Sequence, residues 1–361
     1  MKYGTEKLED LGFDDFFVSN RQKLKLDGFS AARVIAEHKG AYKVKNTQGE
    51  YLAKVTGRQM FQASSREDYP AVGDWVAITQ LDKERAVICG ILPRKTVLKR
   101  KASGKNEAQV IAANIDVAFV IESVDRDYNL NRFERYFAMA NGGGLASVIV
   151  LNKADLIPKE DLHSRLAQIR ARLPGVEVIS TSTITEEGVS ELKGRIVRGK
   201  TYCFLGSSGV GKSSLINKLI GEDAIKTEAI SPAASRGKHV TTSREMYFLE
   251  NGGLVIDNPG MREVGLAGAK EGIDNVFDAV VGLARKCKYT DCTHTHEPGC
   301  EVLSAVASGK LDESKYSNYL NLKKEAEYYA MTELEKKQKD RRFGKFVKKA
   351  KEDLRNYGYK N

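Results

Sequence analysis

The stretch Gly206-Ser207-Ser208-Gly209-Val210-Gly211-Lys212-Ser213 carries the residue types that hold a polyphosphate. It fits the pattern of a glycine, four free positions, then Gly-Lys-Ser. Glycines let a backbone bend until several N–H groups face one phosphate. Lys212 is placed to reach the β- and γ-phosphates, and the Ser213 hydroxyl to bind Mg²⁺. Ser214 continues the motif. Such a loop works only between the right elements. The apolar run Thr201–Leu205 predicts a buried strand before it. Residues 214–220 predict a helix after it, whose N-terminal end adds positive potential. The unit predicts nucleotide binding but not which nucleotide.

A second motif addresses the base. Asn152-Lys153-Ala154-Asp155 follows a predicted strand over 146–151. The Asp155 carboxylate would accept from the ring N1–H and exocyclic amine of guanine. Asn152 would hold the loop and approach the N7/O6 edge, with the Lys153 stem over the base. Adenine presents an acceptor where guanine presents N1–H, so the carboxylate discriminates between them. Ser180-Thr181-Ser182 follows the next predicted strand and could offer a backbone N–H to guanine O6. Asp257-Asn258-Pro259-Gly260 follows a predicted strand over 253–256. There Asp257 would meet Mg²⁺ through water, and the Gly260 N–H the γ-phosphate. Between these lies the polar segment Ser235-Arg236-Gly237-Lys238-His239-Val240-Thr241-Thr242, suited to a switch ordered by a Thr–Mg²⁺ contact.

The guanine motif precedes the phosphate loop, the reverse of the common order. A folded site survives this if the chain was closed and reopened elsewhere, because domain termini tend to lie close together. Circular permutation follows from the motif order, and it joins the Asp257 segment directly to the C-terminal region.

Cys287, Cys292, His294 and Cys300 are spaced Cys-x₄-Cys-x-His-x₅-Cys. Three thiolates and an imidazole suit tetrahedral zinc, and four protein ligands make the site structural. His296 competes for the fourth place. Cys89 and Cys203 sit in apolar runs and read as core.

The 361 residues allow two or three domains, and 41% hydrophobic with 29% charged residues is a globular composition. No run reaches the length of a membrane span, and the N-terminus lacks the apolar core of a signal peptide, so a cytoplasmic protein is expected. Residues 1–30 suggest a short helix that docks or frays. Residues 31–107 show about five short β segments, a small barrel or sandwich. Lys43, Lys45 and Lys54 there could face RNA or simply solvent. Residues 109–113 read as a junction. From 108 to 268 strands and helices alternate, predicting a parallel sheet with helices on both faces. Residues 269–361 form the cysteine-bearing region, with helices expected over 302–307 and 314–335. Residues 336–361 hold eleven Lys or Arg against three Asp or Glu, most of the chain's net +10. Phe343, Phe346, Val347 and Leu354 make this a basic amphipathic helix. It could bind RNA, an acidic protein or a membrane surface, and RNA is preferred.

The barrel, the permuted motif order and the cysteine cluster together resemble the ribosome small-subunit-dependent GTPase A (RsgA/YjeQ) family over nearly the whole chain. The resemblance implies an OB-fold barrel, a circularly permuted GTPase and a zinc-binding helical domain. It implies GTP/GDP, Mg²⁺ and one Zn²⁺ as ligands. It also implies action in late maturation of the 30S subunit, on 16S rRNA, with hydrolysis stimulated by that subunit. No membrane or DNA partner is expected, and the protein should be a monomer. His239 is similar to the family's proposed catalytic histidine. Val240 departs from the family's usual Gly-x-His-Thr-Thr-Thr switch; Thr241 is favoured for Mg²⁺. Met261 stands where many GTPases carry a water-orienting Gln. Two other classes compete: a P-loop ATPase or kinase, opposed by Asn152–Asp155, and an RNA-binding scaffold with a structural nucleotide site.

Overall fold

The computed structural model describes residues 7–38, 40–101, 108–125, 128–221, 244–257, 266 and 268–358. The chain enters through a single 3₁₀ turn and helix α1 (Asp15–Lys23), whose N-cap Asp14 accepts from the Phe16 N–H at 3.2 Å. This segment docks, as one of the two sequence readings allowed. Phe13 and Phe17 lie on Trp75, the former edge-on at 4.6 Å between ring centroids.

Five strands close the barrel: β1 (Ser30–His38), β2 (Ala41–Lys45), β3 (Glu50–Val55), β4 (Trp75–Gln80) and β5 (Arg85–Ile91). They run in the order β1-β2-β3-β5-β4, with β4 returning to β1 and β3 parallel to β5. Ala32, Val34, Val44, Ala53, Val76, Ile78 and Ile88 fill it. Closure removes every free edge. Between β3 and β4 lies the short helix α2 (Gly57–Gln62). The buried Arg33 guanidinium donates to the carbonyls of Leu11, Gly73 and Asn114, tying the N-terminal segment, the barrel and the start of the next region together.

The expected junction at 109–113 is instead a strand. β6 (Val97–Lys101) and β7 (Ala108–Ala113) form an antiparallel hairpin, and Ile111 and Ala112 are buried. Those apolar residues needed a partner strand that the periodicity before them did not announce.

The central sheet holds β8 (Val117–Ser123), β9 (Ala146–Asn152), β10 (Val178–Thr181), β11 (Thr201–Leu205), β12 (Glu245–Phe248) and β13 (Leu254–Asp257), ordered β10-β9-β8-β11-β13-β12. All are parallel except β12, which runs antiparallel to β13. One face is covered by α3 (Leu130–Gly142) and α4 (Lys159–Arg172), the other by α5 (Val189–Gly194) and α6 (Lys212–Ile220). Phe133, Tyr136, Phe137 and Ala140 of α3 face inward, as their spacing predicts. β12 was not anticipated. It meets β1 at Ala36↔Glu245, joining sheet to barrel. There Lys45 is buried, paired with Glu50 and set 5.1 Å above the Phe248 ring, so it serves packing and not an open basic face.

The C-terminal unit comprises α7 (Lys270–Val276), α8 (Asp278–Ala284), α9 (Glu301–Ala307), α10 (Glu313–Ala330) and α11 (Glu333–Gly358). The single helix expected over 314–335 is broken at Met331-Thr332. A capping box starts the new helix: the Glu335 N–H donates to Thr332 Oγ1, and Glu335 Oε2 accepts from the Thr332 N–H at 2.7 Å. The unit sits on α3 through a buried cluster. Arg172 donates Nε to Glu134 Oε1 at 2.6 Å and Nη2 to Oε2 at 3.1 Å, and Asn318 Nδ2 donates to Glu134 Oε2 at 2.6 Å.

Candidate functional site

The five parallel strands present their carboxyl ends along one edge of the sheet, and the sequence motifs lie there. Thr181 and Ser123 are both in register with Asn152, at the ends of β10, β8 and β9. Leu205 ends β11 just before Gly206, and Asp257 ends β13. Ligands of open parallel sheets bind at this edge.

The phosphate loop is shaped by its glycines. Gly209 and Gly211 have φ of +85° and +95°, which L side chains rarely adopt. A Cβ on Gly206 would stand 2.1 Å from the Ile121 carbonyl oxygen, and one on Gly211 would stand 2.3 Å from Asn152 Nδ2. Val210 plugs the core beneath the loop, packed among residues of β11 and α6. Lys212 begins α6 and donates its ammonium to the carbonyls of Gly206 and Ser207, the former at 2.8 Å. The side chain therefore folds back over its own loop. Ser207, Ser208, Ser213 and Ser214 are half-buried around it.

Asn152 is fully buried and makes two hydrogen bonds. Its Nδ2 donates to the Val210 carbonyl at 2.8 Å, and its Oδ1 accepts from Thr181 Oγ1 at 3.0 Å. One amide thus ties all three predicted loops together. Lys153 adopts the left-handed conformation, φ +62°, and its ammonium pairs with Asp125 Oδ2 at 2.9 Å. Asp155 Oδ1 accepts from Ser182 Oγ at 2.5 Å, and Ser182 Oγ in turn accepts from the N–H groups of Ile184 and Thr185. Asn152 thus links the loop of residues 152–155 to Thr181 of the 180–182 segment and to the loop of Gly206–Ser214, while Asp155 and Ser182 bond each other. His239, Thr241 and Gly260, with Val240 and Met261, lie outside the described residues.

Sequence reasoning missed two neighbours of this site. Asp125 follows β8 as the other motifs follow their strands, and that position was its one signal. Tyr136 reads only as part of the apolar stripe of α3, yet its hydroxyl lies 3.4 Å from Ser207 Oγ.

The second cluster is compact. The ligand atoms of Cys287, Cys292, His294 and Cys300 all lie within 4.8 Å of one another. His294 Nδ1 is 3.6 Å from Cys287 Sγ and 3.5 Å from Cys300 Sγ, and those sulfurs are 3.8 Å apart. A tetrahedron with zinc bond lengths has edges of about 3.8 Å between sulfurs and about 3.6 Å from sulfur to nitrogen. The donor set and the spacing both fit one such ion. His294 has φ +61°, and its carbonyl accepts from Tyr316 of α10 at 2.6 Å. His296 is exposed, with Nδ1 2.8 Å from Thr295 Oγ1, so the geometry selects His294 for the fourth place. Burial, reinforced by the adjacent thiols, pushes the Cys292 thiol up to about 12.

Residues 91–267 match the RsgA GTPase family model. The chain is 40% identical over 334 residues to the small ribosomal subunit biogenesis GTPase RsgA of Opitutus terrae, covering 90% of each. It is 36% identical over 360 residues to RsgA 1 of Bacteroides thetaiotaomicron, covering 99% of this chain and 100% of that protein. Among solved structures, YjeQ from Thermotoga maritima superposes with a TM-score of 0.59 at 27% identity, over 82% of this chain and 98% of that one. YloQ, described as a circularly permuted GTPase, shares the fold with a TM-score of 0.59 at 22% identity, over 84% and 97%. With its barrel, its permuted GTPase sheet and its Cys/His cluster, the chain belongs to the RsgA GTPase family and is a GTP hydrolase.

Proposed function

We propose that the protein binds the 30S ribosomal subunit through 16S rRNA, acts in its late maturation, and hydrolyses GTP to GDP and phosphate faster when bound there. The observation that carries the nucleotide part is the Asn152 amide, which holds the guanine and phosphate loops at one sheet edge. The partner is inferred from the relatives, which are named small ribosomal subunit biogenesis GTPases. The protein works in this reading as a cytoplasmic monomer, with no DNA or membrane partner. Units 1–30, 31–107, 108–268 and 269–361 divide the labour between docking segment, barrel, GTPase and zinc unit.

In this reading Asp155 accepts from guanine N1–H and the exocyclic amine, with Ser182 Oγ donating to Asp155 Oδ1 and orienting the carboxylate. The Lys153 stem covers the base. The N–H groups of residues 206–214 and the Lys212 ammonium take the phosphates, the latter exchanging the Gly206 carbonyl for phosphate oxygen. Mg²⁺, held by Ser213 and Thr241 with Asp257 through water, would neutralise charge developing on the β- and γ-oxygens. Gly260 senses the γ-phosphate. His239 accepts or relays a proton of the attacking water. Cys287, Cys292, His294 and Cys300 would hold one structural Zn²⁺. The deciding experiment is GTP hydrolysis with and without purified 30S subunits, repeated with His239→Ala. Equal rates without and with subunits remove the partner assignment; full stimulation of the variant removes the catalytic histidine.

A further inference from the structure

Lys153 enters the candidate nucleotide site with its side chain already held. Its ammonium donates to Asp125 Oδ2 at 2.9 Å, and Asp125 Oδ1 accepts from Ser123 Oγ at 2.6 Å. Ser123 is fully buried at the end of β8, in register with Asn152, so this chain of contacts starts from the sheet itself. The backbone around Asp125 is tied down as well. The Val124 N–H donates to the Asn152 carbonyl at 3.0 Å, and the Val124 carbonyl accepts from the Arg165 guanidinium of α4. That guanidinium also lies 4.8 Å from the centre of the Tyr128 ring, and the Tyr128 N–H donates to the Asp125 carbonyl at 3.0 Å.

Lys153 and Asp125 are 21% and 26% exposed, and an ion pair of that kind adds little to stability. Yet the acceptor side of the pair is built from several separate contacts. Lys153 also carries a left-handed backbone, φ +62°, which disfavours a residue with a side chain. Strain and construction spent on a pair that barely stabilises the fold point to a role in the site.

The chemistry of a polyphosphate site supplies the reason. An unpaired lysine ammonium beside phosphates is drawn to their oxygens. In the proposed reading Lys212 takes that role, and a second lysine is wanted for its stem alone. The Asp125 carboxylate holds the Lys153 ammonium and leaves the four-carbon stem as an apolar surface. Fixing the stem before the base arrives also removes its rotamer entropy from the cost of binding.

We infer that Asp125 is a positioning residue for guanine nucleotide, pinning the Lys153 ammonium so that the stem stands ready as a platform for the base. This rests on the reading that Asn152–Asp155 hold guanine.

The test follows release of N-methylanthraniloyl-GDP from the full chain by fluorescence. Asp125→Asn keeps the shape and removes the charge, and it should speed release about tenfold. In a Lys153→Met background, with an unbranched stem and no charge to pin, the same change should alter release by less than about twofold. KM for GTP should rise in Asp125→Asn while kcat holds, because a base platform serves ground state and transition state alike. The unfolding midpoint without nucleotide should not move. Wild-type release from Asp125→Asn overturns the inference. Equal acceleration in both backgrounds also overturns it, since Asp125 would then act on the loop and not through Lys153. Lys153→Ala tests the underlying reading. Release no faster than wild type takes Lys153 off the base, and the guanine reading falls together with the inference. Fast release from Lys153→Ala beside unchanged release from Asp125→Asn leaves that reading standing and removes the positioning role alone.

Discussion

Asn152 Nδ2 donates to the Val210 carbonyl at 2.8 Å, across 58 residues of chain. That bond ties the loop of residues 152–155 to the loop of Gly206–Ser214. The same nitrogen stands where a Cβ on Gly211 would fall, so the glycine and the asparagine require each other.

Replacing Asn152 with Ala should therefore do more than remove a base contact. It strands a buried carbonyl and the buried Thr181 hydroxyl, a cost of about 1–3 kcal/mol. Denaturant unfolding without nucleotide should show this loss, and calorimetry should show GTP affinity reduced more than tenfold, about 1.4 kcal/mol or more. Wild-type stability in the variant would mean the amide does not brace the loops.

Asp155→Asn tests the base assignment separately. The carboxamide can present a donor where the carboxylate could only accept. Preference should move from GTP towards xanthosine triphosphate in competition binding. Unchanged GTP selectivity would remove Asp155 from the base site.

Glu134 should matter more to stability than its neighbour Arg135. Glu134→Ala leaves the Arg172 guanidinium buried with part of its pairing gone, costing about 3–5 kcal/mol. Arg135 pairs with the part-exposed Glu325, so Arg135→Ala should cost about 1 kcal/mol or less. The two unfolding midpoints measure the contrast, and limited proteolysis should release the C-terminal unit sooner in the Glu134 variant.

Cys300→Ser, or a strong chelator, should release one zinc per chain and loosen the segment from Cys287 to α9. The Cys300 sulfur also accepts from the Leu303 N–H at 3.4 Å, a cap that a serine hydroxyl can keep, so the substitution removes the metal ligand without uncapping α9. Trp75 packs between the N-terminal segment and the barrel, so its fluorescence should hold while C-terminal helicity falls. Metal analysis that finds no zinc in the wild type would refute the site.

Alkaline titration offers a check on the sheet and barrel. Burial pushes the phenols of Tyr42 and Tyr247 up to about 12, from an ordinary value near 10. A raised folded-state value means their contribution to stability is complete below pH 10 and is lost as pH rises towards 12. Phenolate absorbance should show these two lagging the exposed tyrosines. Tyr42→Phe and Tyr247→Phe should remove that lag.

The sequence by itself determined the chemistry and the architecture classes. Gly206–Ser214, Asn152–Asp155 and the Cys/His spacing are local patterns, legible because phosphate, guanine and zinc each demand fixed residue types at fixed intervals. Their order revealed the permutation, and apolar periodicity gave the five parallel strands and α3. Tertiary structure decided what depends on distant partners. The strand at Ala108–Ala113 exists because β6 pairs with it, and β12 because it bridges β13 and β1. Lys45 became internal because Glu50 and Phe248 close over it. The choice of His294 over His296 turned on a left-handed backbone and the Tyr316 hydrogen bond. The role of Tyr136 turned on where α3 lands beside Ser207. Periodicity records which face of an element is buried; only packing decides against what.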